Sequence, residues 1–127
     1  MGQLLLICAG GAFGTGARYL LSVWMLEKLG PSFPFGTLTV NTIGSFLLAF
    51  IMYANVEAAA ISPAARLVLG TGVMGGFTTY STFSYETMMY LQGESWGIAA
   101  AYIAATVAGC LASCLAGWAA GRWILGT

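Results

Sequence analysis

Residues 1–17, 29–56, 67–85 and 95–121 carry no charge, and this spacing constrains the fold more than any other feature. A helix needs roughly 20 mostly apolar residues to cross a bilayer, and each stretch approaches or exceeds that length. Of the 127 residues, 59% are hydrophobic and only 6% charged; an ordinary soluble domain is about a quarter charged. The expected fold class is therefore an all-α integral membrane protein, a single transmembrane domain over 1–127 with four transmembrane helices. The spans are expected at about 4–26, 36–56, 67–91 and 96–125. Pro31 and Pro34, Ser62-Pro63, and Gln92-Gly93 punctuate the connections. Trp24, Trp96 and Trp123 near the expected ends suit interfacial anchoring. The first apolar stretch has no basic leader before it and more apolar sequence after it, which points to a first span rather than a cleaved signal peptide.

Composition excludes several function classes. The chain has no histidine, and its four acidic residues are all glutamate, so Ser-His-Asp or Cys-His catalysis and His-ligated metal sites cannot be built within it. The four basic residues, Arg18, Lys28, Arg66 and Arg122, lie far apart and give no nucleic-acid footprint. Cys8, Cys110 and Cys114 all fall in apolar stretches with no metal spacing, as small apolar packers do.

The third span is the unusual one. Gly70, Gly72, Gly75 and Gly76 are followed by Thr78, Thr79, Ser81, Thr82 and Ser84, which is poor material for a continuous helix. A break near the membrane midplane is expected, since broken helices there offer carbonyls to cations and N–H groups to anions. The alternative is a continuous helix whose small residues pack closely. Gly70, Gly72 and Gly75 also spell the dinucleotide fingerprint G-x-G-x-x-G, but no strand precedes it and the match is fortuitous. Phe77, Tyr80 and Phe83 share a face if the backbone is helical, and their ring edges carry partial positive charge. Packing against neighbouring helices is the plainer role for such a stripe.

Polar residues also line up in the other spans. Thr37, Asn41 and Ser45 form a stripe on the second, suited either to lining a path or to gluing helices together. On the fourth, Ala101, Ala105, Gly109, Ser113, Gly117 and Gly121 form a packing ladder, with Tyr102, Thr106 and Cys110 beside it. Arg18 lies inside the first span and must face protein, water or an interface. Glu86 is the one carboxylate placed inside a span, either deep and functional or at a wet helix end.

Loop charge sets orientation weakly, with Arg66 and Arg122 on one side and Lys28 on the other. Both orientations, and so an antiparallel dimer, fit this balance; so does a single orientation fixed by Arg18 or the amino terminus. No internal repeat is evident, and four spans are few for a complete pathway, which favours two copies.

Gly10-Gly11-Ala12-Phe13-Gly14 with Ala17-Arg18-Tyr19, Gly36-Thr37-Leu38-Thr39-Val40-Asn41 with Gly44-Ser45, and Gly75 through Ser84 together resemble the Fluc/CrcB family of fluoride channels over the whole chain. The resemblance implies an ion channel rather than an enzyme, exporting fluoride passively and lowering its toxicity in the cytoplasm. It implies a dual-topology, antiparallel homodimer in the bilayer of the bacterial cytoplasmic (inner) membrane, with two pores and a central structural sodium ion. By position, Gly75 and Thr78 would give backbone carbonyls to sodium. Asn41, Tyr80 and Phe83 would line the fluoride pathway with Ser81, Thr82, Tyr102 and Thr106 as polar neighbours, and Thr37, Arg18 and Glu86 complete the candidate set. The family usually carries phenylalanine where this chain has Tyr80. The alternative class is a small multidrug-resistance exporter, which is similar in length and span count; it would need a glutamate deep in the first span, where this chain has Arg18.

Overall fold

The computed structural model describes residues 1–126, and their regular structure is helical. Helices α1 (Gly2–Leu29) and α2 (Phe35–Val56) precede a short helix α3 (Pro63–Arg66). This continues into a π-helical segment, Leu67–Met74, and a single α-turn, α4 (Gly75–Phe77). Two extended residues, Thr78 and Thr79, separate α4 from α5 (Tyr80–Gln92), and α6 (Trp96–Leu125) follows.

Local chemistry sets these boundaries. α1 starts and ends beyond the expected 4–26 because no breaker intervenes before Gly30, which adopts φ +74° and returns its N–H to the Leu26 carbonyl at 2.9 Å. Ser62-Pro63 was expected to interrupt the second connection. Instead it starts α3: the Ser62 hydroxyl accepts the Ala65 N–H at 3.1 Å, and Pro63 takes the first helical position, where no N–H is needed.

α1, α2 and α6 are each long and apolar enough to cross a membrane. Their outward residues, among them Leu5, Phe13, Leu20, Leu111 and Leu115, are exposed, which is the surface of an integral membrane protein. Lipid tails are as apolar as these side chains, so association between helices rests on close packing and internal polar bonds. α6 supplies both against α2. The Ser113 hydroxyl donates to the Thr42 carbonyl at 2.8 Å. A Cβ at Gly117 would strike the Phe46 carbonyl, and one at Gly121 would sit 2.9 Å from the Tyr53 ring. The small-residue ladder is thus a packing device from Gly109 onward. On the other flank, α1 holds the π segment and α4 through Gly10 and Gly14, where a Cβ would meet the backbone of Val68 and Val73. Val40, Met74 and Phe77 form the buried core between these layers.

Candidate functional site

The break at Thr78-Thr79 frees backbone groups that a continuous helix would pair, and at membrane depth each needs a partner. Both backbone groups of Thr79 and the Thr78 carbonyl find theirs on α1 or α2. Asn41 engages Thr79 twice: its Oδ1 accepts the Thr79 N–H at 2.7 Å, and its Nδ2 donates to the Thr79 carbonyl at 2.9 Å. Arg18 donates through Nη1 to the Thr78 carbonyl at 3.1 Å. The Thr78 N–H and hydroxyl both return to the Met74 carbonyl, at 3.0 and 2.9 Å. Because the Thr79 N–H goes to Asn41, the Gly75 carbonyl loses the donor that an α-helix would give it. Among the described residues no other donor replaces it.

Thr79 also starts α5. Its Oγ1 accepts the Thr82 N–H at 3.2 Å and donates to the Thr82 hydroxyl at 2.9 Å, an N-cap at the point where the helix resumes. The Ser81 hydroxyl lies 3.3 Å from the Thr79 hydroxyl. Thr79 was not singled out as a cap in the sequence, although a threonine just before a helical stretch is a recognisable N-cap candidate. The aromatic stripe does not survive as one helical face, since the break falls inside it. Phe77 packs in the core with Val40 and Met74, whereas Tyr80 and Phe83 lie beyond the break.

A cavity of about 350 Å³ opens beside the break, lined by residues that include Asn41, Thr79, Tyr80, Phe83 and Thr106. It contains no charged side chain. The Thr106 hydroxyl is buried there without a partner among the described residues. The Phe83 ring is buried, tilted 58° to Tyr80 at 5.7 Å and roughly edge-on to Tyr102 at 5.1 Å. Tyr80 itself is 80% exposed, on the surface of the chain.

Glu86 forms a second cluster. Thr37 donates to Oε1 at 3.0 Å and Tyr102 to Oε2 at 2.7 Å, so both carboxylate oxygens are engaged within a half-buried helix face. It borders two further hollows of about 200 and 390 Å³ beside Phe33 and Pro34. The contact from Phe83 to Tyr102 links this cluster to the cavity at the break. The structure therefore gathers Asn41, Thr78, Tyr80, Phe83 and Thr106 around one cavity, and Thr37, Glu86 and Tyr102 beside it. Arg18 and Gly75 lie on the α1-facing and exposed sides of the break, and Ser81 and Thr82 are exposed on the first turn of α5. Ser22, which lines the smaller hollow with Glu86, carried no signal in the sequence.

Several membrane-capable helices around a broken one, with an uncharged and mostly apolar cavity at the break, define a multi-pass membrane protein. Residues 5–118 match the family described as "CrcB-like protein, Camphor Resistance (CrcB)", and the chain belongs to that family. It is 56% identical over 83% of both chains to a protein of Anaeromyxobacter sp. (strain K) named "Fluoride-specific ion channel FluC". Proteins of the same name from Sorangium cellulosum (strain So ce56) and Shewanella loihica (strain ATCC BAA-1088 / PV-4) are also similar. The first is 53% identical over 75% of both chains; the second is 45% identical over 82% of this chain and 83% of its own.

Proposed function

We propose that this chain is a fluoride-selective channel that lets fluoride leave the cell passively. The observation that carries the reading is the uncharged cavity at the break, lined by Asn41, Thr106 and the buried Phe83 ring, with the Thr106 hydroxyl unpartnered among the described residues. Fluoride is small and tightly hydrated, so its water shell must be replaced by several short-range donors. The Thr106 hydroxyl, the remaining Asn41 amide hydrogen and polarised ring edges would supply these without a full positive charge that would trap the ion. Conduction needs binding strong enough to admit the ion and weak enough to release it. Thr37, Tyr102 and Glu86 continue the polar line, and Ser81 and Thr82 extend it at the start of α5. The name shared by the relatives supports the same reading.

The working unit in this proposal is an antiparallel homodimer with two pores, built from four spans in each copy, the third being the broken stretch from Pro63 to Gln92. Support comes from the exposed break: Gly75 and Tyr80 lie on the protomer surface, and irregular backbone is tolerated at membrane depth only where protein or water covers it. A sodium ion fits the residues at that surface. The Gly75 carbonyl is without a donor among the described residues, and the Thr78 carbonyl keeps a second lone pair beside Arg18. Hard cations prefer such oxygens but take about six or more, so one chain supplies only part of the shell. The ion's role is structural, joining the two copies.

Proteoliposomes loaded with fluoride and read with a fluoride electrode test the proposal. Rapid release that ignores an imposed proton gradient is expected; chloride release at an equal rate overturns the selectivity. Release that requires a proton gradient favours a coupled exporter instead.

A further inference from the structure

Tyr102 is fully buried, and its hydroxyl donates to Glu86 Oε2 at 2.7 Å. Two other rings hold its own ring in place. Phe83, on α5, lies roughly edge-on with the ring centroids 5.1 Å apart. Phe33 lies edge-on at 5.5 Å and 82°, and it comes from the connection between α1 and α2 rather than from a helix. Short-range chemistry sets that connection. Gly30 turns the chain out of α1 at φ +74°, Pro31 and Pro34 restrict the backbone to either side, and the Phe33 carbonyl accepts the Phe35 N–H at 2.8 Å. The Phe33 ring also rests against that of Phe35, with centroids 5.0 Å apart. Phe33 and Glu86 both border the two hollows of about 200 and 390 Å³. One loop ring therefore packs on the tyrosine that bonds the carboxylate and walls the spaces that the carboxylate borders.

We infer that Phe33 is a positioning residue of the fluoride path: by fixing the Tyr102 ring it holds the tyrosine hydroxyl on Glu86 and keeps that end of the path in one arrangement. This rests on the functional reading above. Edge-to-face ring pairs have a preferred geometry, so two of them restrict the tilt of the ring between them. The phenol oxygen moves with its ring. Without the Phe33 side chain, the two hollows lose a shared wall and Tyr102 loses one of its two ring contacts. The hydroxyl is then free to leave Glu86, and water entering from the hollows competes for the carboxylate. Groups that replace an ion's water shell work best when packing has already locked their rotamers. Phe33 acts on the path through Tyr102 and needs no contact with the ion itself.

The test measures initial fluoride release from loaded liposomes by the full-length protein. Phe33→Ala should slow release about tenfold, the rate equivalent of one lost hydrogen bond, and Tyr102→Phe should slow it to a similar extent. Because both changes remove the same bond, the double variant should be about as slow as either single one, not about a hundredfold slower than the parent. A general loosening of the fold would instead multiply the two losses. Phe33→Tyr keeps the ring and should release fluoride at close to the parent rate. If the alanine variant folds poorly, Phe33→Leu, which keeps apolar bulk without a ring edge, takes its place and should be slowed in the same way. Parent-like rates in Phe33→Ala or Tyr102→Phe, losses that multiply, or a Phe33→Tyr channel as slow as Phe33→Ala overturn the positioning role and leave the channel reading intact. If the parent itself fails to release fluoride, the channel reading falls and the positioning role falls with it.

Discussion

Asn41 bonds both backbone groups of one residue, and this leaves its amide little freedom to rearrange. Asn41→Ala leaves the buried N–H and carbonyl of Thr79 unpaired. At about 1–3 kcal/mol for each such group, the variant should lose about 2–6 kcal/mol. A lowered unfolding midpoint in detergent, together with lost fluoride release, is the expected result; an unchanged midpoint would show that water replaces the amide. Tyr80 supports a second expectation. Its hydroxyl adds a donor and bulk at the ring tip, and a deeper well or a narrower path both slow throughput. Tyr80→Phe should therefore raise the initial fluoride efflux rate with chloride still excluded. Phe83→Ile should lower the rate severely, because it removes a buried ring edge from the cavity. A slower Tyr80→Phe channel would mean that the hydroxyl aids conduction.

The break depends as much on glycines in neighbouring helices as on its own residues. A Cβ at Gly14 would run into the Val73 carbonyl, one at Gly76 into the Gly11 carbonyl, and one at Gly44 into the Thr78 methyl. Backbone cannot step aside as a flexible side chain can. Gly14→Ala and Gly76→Ala should thus cost about 1–3 kcal/mol or more by overpacking. Gly97→Ala meets nothing within 4 Å and should be neutral or better, since alanine gains up to about 1 kcal/mol in a helix. Gly44→Ala should be rescued in part by Thr78→Ser, which removes the clashing methyl but keeps the hydroxyl bonded to Met74. Thermal midpoints of the two single variants and the double variant measure that coupling; strict additivity would refute the contact.

Legibility follows the range of the interactions. The long apolar helices were visible as charge-free stretches, and the break as glycines followed by hydroxyl residues, because both signals are local. The π winding of Leu67–Met74 was not visible: Gly70 and Gly72 weaken a helix there without setting how it winds, and its shape is fitted to α1, where Gly10 and Gly14 admit its backbone. Nor could sequence show that Asn41 reaches Thr79, or that Glu86 is held by Thr37 and Tyr102, since these partners come from different helices.

For the whole molecule, an apolar exterior interrupted by an exposed break sets a condition on assembly. The antiparallel dimer proposed above, with which the nearly balanced loop charge is compatible, would cover the break with an inverted second copy. In a cysteine-free background, a cysteine introduced at Gly93, in the turn between α5 and α6, should be labelled by impermeant reagents from both faces of the membrane. Labelling from one side alone would rule out the antiparallel dimer.

The π segment also bears on which lengths of chain this fold accepts. Each i→i+5 turn closes around one residue more than an α-turn does, so the stretch before Gly75 behaves as an absorbed insertion. A chain one residue shorter between Leu67 and Met74 has a route to the same break by rewinding toward α-helix, without moving Thr78 and Thr79 away from Arg18 and Asn41. Variation in length is accommodated on the α3 side of the break, whereas α5 resumes from its Thr79 cap and has no such slack.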